Sequence, residues 1–444
     1  MPKKALFKLR KGKMSSFHWI LLSFLLLILV GTFLLTLPIS SAQGVYTSFL
    51  DCLFTATSAS CVTGLVVKDT ATYWSTFGKV IILIMIQIGG LGVVTMTYAL
   101  VKLSGRKISL FQRSLVQESV SAEHSGGISN YINFILKTTL LFEGVGALLL
   151  SLYFCNEFGL LKGICYGIWH SISAFCNAGF DLMGNFTSLT RYLGNAYINV
   201  VIMLLIICGG LSFATWADVK KHGIHLRRYT LQSKIIISSS ILLIVIPSIF
   251  FYFYEFKDLP TKERLLASIF QSVTTRTAGF NTTDQSKLSD SGSLVSMILM
   301  MIGGSPGSTA GGLKTTTISV LIISSFSVFM QTDNAHAYKR RIDDSTIKAA
   351  SAIFLLYVSI FILAAIIICE IESLPLIKCL YEIASAIGTV GLTTGITPLF
   401  HGATKIILIV LMFFGRVGCL TLIYALLPRI KETAKLPMEH VNVG

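Results

Sequence analysis

The feature that most constrains this chain is the recurrence of apolar stretches, each long enough for a helix to cross the hydrocarbon core of a bilayer. Eight such stretches are predicted, near residues 19–37, 80–101, 133–154, 196–216, 235–254, 295–329, 349–369 and 405–427. Hydrophobic residues make up 53% of the chain and charged residues only 13%, which excludes a soluble enzyme, a disordered chain and a secreted disulfide scaffold. The predicted fold class is therefore an all-α polytopic membrane protein.

The net charge of +15 is distributed unevenly along the chain. The N-terminus and the connections near 102–113, 220–234 and 339–348 are rich in lysine and arginine, whereas the other connections are more acidic. The positive-inside rule therefore predicts that both termini are cytoplasmic. Because this topology accounts for the excess of lysine and arginine, no nucleic-acid partner is predicted. A cleaved signal peptide is the competing interpretation of the first stretch, but its apolar core would exceed the usual length and further spans follow.

A similar phrase follows a short apolar segment four times along the chain. The phrases read S-A-S-C-V-T-G-L, S-A-F-C-N-A-G-F, V-T-T-R-T-A-G-F and S-A-I-G-T-V-G-L, and they contain Gly64, Gly179, Gly279 and Gly391. These glycines recur at intervals of about 110 residues, which is the signature of an internal repeat.

A second phrase recurs in the later span of each repeat. It reads I-G-G-L-G, C-G-G-L-S, I-G-G-S-P and F-G-R-V-G. Since each repeat contains two spans, all copies start from the same side of the membrane, and the predicted pseudo-fourfold axis runs along the membrane normal. The predicted divisions are a basic cytoplasmic N-terminus at 1–17, repeats at 18–104, 131–217, 232–330 and 346–427, an intramembrane loop at 303–314 and a cytoplasmic tail at 428–444.

The short apolar segments are too short to span the bilayer and are predicted to be re-entrant half-helices, with pore loops after them. Backbone carbonyls in such loops can replace the hydration shell of a cation, and glycine permits the positive φ that turns them toward one axis. Close helix packing is the competing role for a single glycine, but four in register favour a selectivity filter. The predicted ion-binding residues are Val62, Thr63, Gly64, Asn177, Ala178, Gly179, Thr277, Ala278, Gly279, Thr389, Val390 and Gly391. We call Gly64, Gly179, Gly279 and Gly391 the filter glycines.

The later span of repeat 3 is interrupted by residues 303–314, a run of glycine and small polar residues that cannot hold a continuous helix. In repeat 4, Arg416 stands where the other repeats have glycine, and a buried arginine in a span usually faces a cavity or a partner. Together they predict a gate, and a helix break used for packing and a snorkelling arginine are the alternatives. The predicted gate residues are Gly303, Gly304, Ser305, Gly307, Ser308, Gly311, Gly312 and Arg416.

Other polar residues in the apolar segments are weaker candidates. Arg276 is expected to point behind the filter, toward carbonyls or Glu143. An intramembrane enzyme using His170 or Cys176 is a second hypothesis, but no oriented third group is evident. The nine cysteines form no C-x-x-C pair, so neither a zinc site nor a disulfide framework is predicted. A secondary transporter for an organic substrate is disfavoured by the parallel repeats.

The four filter phrases, the glycine pairs, the interruption at 303–314 and Arg416 resemble the Ktr/Trk/HKT superfamily of potassium transporters. The similarity is closest to the membrane subunit of the bacterial Ktr system and covers nearly the whole chain. It implies K⁺ bound at the filter glycines, uptake across the bacterial plasma membrane and a gate at the loop and Arg416. Sodium-preferring members can carry serine at the first filter glycine, so Gly64 favours K⁺.

The same resemblance implies a homodimer with one pore per subunit. It also implies a cytosolic RCK-type ring that binds ATP and ADP, and activation by Na⁺. No organic cofactor and no catalytic residue are expected in this chain. A Na⁺-permeable cation transporter or channel of the same architecture remains the alternative function.

Overall fold

The computed structural model describes residues 16–103, 115, 117, 127–426 and 439. Over these ranges the chain forms four helical repeats, and each contains a long helix, a short helix and two further helices that meet at a break. The predicted cytoplasmic N-terminus through residue 15, most of the connection at 102–113 and the tail at 428–444 lie outside the described residues, apart from residue 439.

The helices follow the same order in every repeat. Repeat 1 contains α1 (Ser16–Thr36), α2 (Phe49–Ser60), α3 (Thr76–Leu91) and α4 (Val93–Leu103). Repeat 2 contains α5 (Ile128–Phe158), α6 (Leu160–Phe175), α7 (Ala196–Gly210) and α8 (Phe213–His222). Repeat 3 contains α9 (Leu231–Phe250, with a π-helical turn at Phe251–Glu255), α10 (Thr261–Thr274), α11 (Asp290–Met301) and α12 (Thr315–Phe329). The antiparallel strands β1 (His336–Ala337) and β2 (Arg340–Arg341) precede repeat 4, which contains α13 (Asp344–Glu372), α14 (Leu376–Gly388), α15 (Gly402–Val417) and α16 (Cys419–Leu426).

The first helix of every repeat is long and apolar enough to cross a membrane. These helices turn large apolar side chains outward, as shown by Phe33, Leu140 and Leu355, which are 67%, 69% and 70% exposed. An apolar surface of this extent is suited to lipid rather than water. The first helices α1, α5, α9 and α13 therefore form the lipid-facing side of the repeats.

The later spans of repeats 1, 2 and 4, predicted as single apolar stretches, are each two helices bent by 96°. Gly92 and Gly418, with φ of +88° and +91°, occupy two of the breaks, because this conformation cannot continue a right-handed helix. In repeat 2 the break lies at Leu211 and Ser212, and the Ser212 hydroxyl accepts from Ala214 N to cap α8. With each bent pair counted as one span, the described residues contain seven candidate spans, and the shorter α11 and α12 supply the eighth predicted one.

In three repeats, the first helix of the later span (α3, α7 and α11) begins at a polar N-cap residue. Ser75, Asn195 and Ser289 accept hydrogen bonds from Gly78 N, Ile198 N and Gly292 N, at 3.2, 3.3 and 3.0 Å. Such caps satisfy backbone donors at helix starts. The short helices α2, α6, α10 and α14 are buried at their C-terminal ends, so protein surrounds them where they stop. This is the arrangement expected of re-entrant half-helices.

Candidate ion-binding site

Each half-helix is followed by a segment in which two residues, with one residue between them, have left-handed backbone with positive φ. The filter glycines have φ of +91°, +68°, +79° and +97° in chain order. Two residues earlier, φ is also positive, at +56°, +58°, +68° and +52°, for Val62, Asn177, Thr277 and Thr389. Left-handed backbone at non-glycine residues is uncommon, and the same two positions adopt it in all four repeats. The backbone geometry therefore obeys the pseudo-fourfold symmetry seen in the sequence.

The filter glycines form a closed ring. A β-carbon built on Gly64 would lie 2.5 Å from Ala178 O, and one built on Gly179 would lie 2.7 Å from Ala278 O. Continuing around, a β-carbon at Gly279 would strike Val390 O, and one at Gly391 would strike Thr63 O. Each glycine thus lies directly against the filter segment of the next repeat, and the fourth repeat closes on the first. The structure brings all twelve predicted ion-binding residues into this ring and its adjoining turns.

The ring is fixed from behind by the half-helices. In repeats 1 and 4, Gly64 N and Gly391 N donate to the hydroxyls of Ser58 and Ser385, at 3.1 and 3.0 Å. Sequence analysis did not assign a role to these serines, although serine begins three of the four phrases. With the N–H groups held behind the segment, the backbone carbonyls are left free to serve as ligands. Half-helix C-termini also carry partial negative charge toward the ring.

The glycine pairs of the later spans are packing positions. A β-carbon at Gly89 would strike Ser60 O, one at Gly209 would strike Phe175 O, and one at Gly415 would strike Ile387 O. In these three repeats the first glycine of the second phrase lies against the end of the half-helix of its own repeat. Only glycine allows so close an approach of two backbones. The second motif therefore sets how far the later span stands from the filter.

Arg416 of repeat 4 forms hydrogen bonds to repeats 1 and 3 near the breaks of the later spans. Its guanidinium donates to Thr309 O in the loop of repeat 3, to Gly89 O, and to Gly90 O at 2.8 Å. Gly89 and Gly90 lie in the last turn of α3, where backbone carbonyls lack their usual helical donors, and Gly89 O also accepts from Gly92 N at 3.2 Å. The structure thus places Arg416 within reach of the interrupting loop, as the sequence predicted.

The loop at 303–314 is hydrogen-bonded to repeats 2 and 4. The Thr309 hydroxyl donates to Phe175 O and Gly209 O at 2.9 and 2.8 Å, and Gly312 N donates to Gly415 O at 3.0 Å. The loop returns to its starting point, where Gly303 N donates to Leu313 O at 2.8 Å. It is therefore a compact loop held by hydrogen bonds to the two neighbouring repeats.

A second basic side chain lies in this loop. Lys314 Nζ donates to Ala310 O at 2.8 Å, and it lines a cavity of about 340 Å³ together with Arg416 and Ser308. Within the described ranges, neither Lys314 nor Arg416 forms an ion pair with a carboxylate. Two basic side chains therefore lie beside the breaks with no carboxylate paired to them among the described residues.

The expected pairing of Arg276 with Glu143 is not present. Arg276 is buried and its guanidinium donates to Ser240 Oγ on α9 at 3.1 Å. Glu143 instead accepts from the Gln87 amide at 3.0 and 3.2 Å. The prediction that Arg276 points away from the ion path toward protein holds, whereas Glu143 is not its partner.

His170 and Cys176 do not form a catalytic pair. Both ring nitrogens of His170 contact backbone groups: Nδ1 lies 2.7 Å from Tyr166 O, and Nε2 accepts from Leu182 N at 3.4 Å. Cys176 Sγ instead lies 3.8 Å from both Gln87 Oε1 and Glu143 Oε1. The structure therefore does not bring together the two residues on which the enzyme hypothesis was based.

Acidic residues lie beyond the ring, in the connections that follow the filter phrases. Burial raises the pKa of Asp181 to about 6, and the nearby carboxylate of Asp69 raises it further. Asp284 shows the opposite behaviour, because its hydrogen bond from Ser286 lowers its pKa. Within the described residues, no group of three or more His, Cys, Asp or Glu side chains could hold a metal ion.

Comparisons with known proteins agree with this architecture. The model of the TrkH family, described as cation transport protein, matches residues 9–433. The chain is 38% identical to the potassium/sodium uptake protein NtpJ of Enterococcus hirae, with 98% of each chain covered. It is 35% identical to the Ktr system potassium uptake protein B of Bacillus subtilis, with 95% of each chain covered. The structure matches that of the potassium transporter TrkH from Vibrio parahaemolyticus with a TM-score of 0.73 at 18% identity, covering 95% of this chain and 86% of that one.

Proposed function

Because this chain belongs to the TrkH family of cation transport proteins, we propose that it takes up K⁺ across the plasma membrane through a gated pore within a single chain. The observation that carries the proposal is the closed ring of filter glycines at the ends of four half-helices. The relatives NtpJ and Ktr protein B, named for potassium uptake, support K⁺ as the transported ion.

The ring suits a cation that has shed its water. Carbonyl oxygens from four repeats replace the hydration shell, and the half-helix dipoles favour positive charge at the centre. The ion-binding residues are the twelve of the four filter segments, centred on the filter glycines. The membrane potential supplies the driving force, at about 2.3 kcal/mol per elementary charge for each 100 mV.

The gate in this proposal is the loop at 303–314 with Arg416. The closed state is held by the bonds of Arg416 to Thr309 O and of Thr309 to Phe175 O and Gly209 O. Opening requires these bonds to break and the loop to leave the axis. Its glycines lower the free-energy cost of this movement, because they permit many backbone conformations.

A Na⁺-permeable transporter of the same architecture is the second candidate. It is supported by the name of NtpJ, which specifies both potassium and sodium. The two candidates differ in the relative transport constants for the two ions and not in the site. Na⁺ as an activator of K⁺ uptake is a further part of the first proposal.

The assembly we propose is a homodimer with both termini in the cytoplasm, bound there to an RCK-type ring that binds ATP and ADP. The relatives named as components of a Ktr system support a regulatory partner. We keep the repeat limits 18–104, 131–217, 232–330 and 346–427, with cytoplasmic segments at 1–17 and 428–444, as part of the proposal.

Uptake in a potassium-transport-deficient bacterial strain tests the function directly. The strain expressing this chain should grow at low K⁺ and accumulate ⁸⁶Rb⁺, with Na⁺ varied to measure competition. If the well-expressed chain gives no uptake, with or without a co-expressed nucleotide-binding ring, the proposal is wrong. Equal transport constants for Na⁺ and K⁺ would favour the second candidate.

A further inference from the structure

One position of the half-helices differs strongly among the repeats. Nine residues before each filter glycine stand, in chain order, Thr55, His170, Phe270 and Glu382. The position faces the segment that leaves the ring in repeats 2 and 4, and all four residues belong to α2, α6, α10 or α14. The side chain at this position therefore determines whether a half-helix can form a hydrogen bond to the residues just after its own filter glycine. We call these residues the outer end of the filter segment.

Glu382 holds the outer segment of repeat 4. Its Oε1 accepts from Thr394 N at 2.8 Å and from the Thr393 hydroxyl at 2.7 Å, and its Oε2 accepts from the Thr397 hydroxyl at 2.7 Å. The Glu382 side chain is fully buried. Because Thr394 N–H can only donate, this contact requires an acceptor at Glu382.

His170 makes the equivalent contact in repeat 2. Its Nδ1 lies 2.7 Å from Tyr166 O, which accepts only, so Nδ1 carries the proton and Nε2 is the acceptor. Nε2 accepts from Leu182 N at 3.4 Å. Leu182 and Thr394 are both the third residue after their filter glycine. A neutral imidazole and a carboxylate thus perform the same task in two repeats.

The other two repeats lack this contact. The Thr55 hydroxyl donates to Asp51 O within its own helix, at 2.9 Å, and Phe270 has no polar side-chain atom. Since the ring runs Gly64, Gly179, Gly279, Gly391, repeats 2 and 4 lie opposite each other across the axis. An acceptor at this position is therefore present on one diagonal only, whereas repeat 3 uses the neighbouring Gln271, whose amide pairs with that of Gln285 at 2.8 and 3.1 Å.

We propose that Glu382 and His170 are positioning residues that hold the outer ends of two opposed filter segments and thereby set the preference for K⁺ over Na⁺. This inference rests on the proposed function. The physical reason is that carbonyl ligands discriminate between two ions only if their spacing is maintained, and the filter backbone has few side chains of its own to maintain it.

The test compares four single variants with the parent by ⁸⁶Rb⁺ uptake in proteoliposomes, with Na⁺ as the competitor. Glu382→Ala and His170→Leu remove the acceptor, and each should lower the preference for K⁺ about fivefold, the effect of losing one net hydrogen bond. Glu382→Gln keeps an acceptor oxygen for Thr394 N and should stay close to the parent. Thr55→Val, the matched position in repeat 1, should leave the preference unchanged.

A purely structural role would lower the amount of folded protein or the maximal rate while leaving the ratio of transport constants intact, and that result would overturn the proposal. An equal change in Thr55→Val would do the same. If Glu382→Ala does not accumulate, the double variant Thr393→Val/Thr397→Val removes two donors to Glu382 without altering α14, and an unchanged ratio there and in His170→Leu also overturns it. A parent without K⁺ uptake would instead contradict the proposed function.

Discussion

Arg416 donates a hydrogen bond to the carbonyl oxygen of Thr309, so a side chain of repeat 4 holds the interrupting loop of repeat 3 in place. The same guanidinium reaches Gly89 O and Gly90 O of repeat 1. Thr309 in turn bonds to Phe175 O and Gly209 O of repeat 2. One pair of residues therefore connects all four repeats near the later-span breaks, and the proposed gate is built on this connection.

Replacing Arg416 with alanine should increase the uptake rate. Hydrogen bonds to a charged group each contribute roughly 1.5–3 kcal/mol, and losing even one from the closed state corresponds to about a tenfold faster opening step. The rate is measured by ⁸⁶Rb⁺ influx into proteoliposomes, with the amount of folded protein checked by size-exclusion chromatography. Arg416→Lys retains the charge but cannot reach three carbonyls at once, so it should fall between the parent and alanine. A parental rate in both variants would rule out the gate.

Deleting residues 304–312 should leave an assembled protein with a raised flux. The ends of the loop are already adjacent, since Gly303 N donates to Leu313 O at 2.8 Å, and the gap left by the deletion is short. The deletion removes Thr309 and its bonds to repeats 2 and 4 but none of the twelve predicted ion-binding residues. Influx that matches the parent in a protein of normal elution volume would show that the loop does not restrict passage.

Replacing Gly64 with serine should lower the preference for K⁺ over Na⁺. The side chain would place a β-carbon 2.5 Å from Ala178 O, so the ring must widen or tilt at that point. Gly44→Ser is the matched control, because Gly44 also has positive φ, at +69°, yet a β-carbon there meets nothing within 4 Å. Competition of Na⁺ with ⁸⁶Rb⁺ uptake measures the ratio. A ratio that is unchanged in Gly64→Ser, or equally changed in Gly44→Ser, would argue against the filter assignment.

Asp181 should make the protein less stable as the pH rises. Its folded-state pKa of about 6 lies above the ordinary 3.8, so the folded protein keeps a proton that the unfolded chain releases. Its stabilising contribution is complete below about pH 4 and is lost as the pH rises through 6. Asp181→Asn should therefore raise the melting temperature relative to the parent at pH 7.5 more than at pH 4.5.

Asp284→Asn supplies the control of opposite sign. The bond from Ser286 lowers the pKa of Asp284, so its contribution is present above its ordinary pKa and is lost as the pH falls. This variant should be less stable than the parent at neutral pH. Differential scanning fluorimetry in detergent measures both, and equal pH responses in the two variants would contradict the assignments.

Sequence patterns predicted the backbone conformation of the four filter segments well, because that conformation is a local property. A half-helix too short to span, followed by glycine, is visible in each repeat without knowledge of its neighbours, and all four copies adopt the expected positive φ. The loop at 303–314 was also evident, since a run of glycines around Pro306 cannot form a helix. Its contact with Arg416 followed from the register of the repeats.

The 96° bends were not predicted, because Gly92 and Gly418 occur within apolar stretches that read as continuous spans. The roles of Ser58, Ser385 and Glu382 were missed for a related reason. Each acts on backbone N–H groups six to twelve residues away, and this depends on how the chain turns back after the ring. The supposed pairing of Arg276 with Glu143 failed because sequence gives no distance between repeats.

The sequence alone determined that the chain is a helical membrane protein, that it consists of four parallel repeats and where the backbone turns to positive φ after each short helix, because apolar length, period and glycine position are properties of the chain itself. Only the tertiary structure decided that the glycines close into a ring, that Arg416 holds Thr309, and that Glu382 and His170 lie on one diagonal. These relationships join residues of different repeats, and packing alone sets the distances between them.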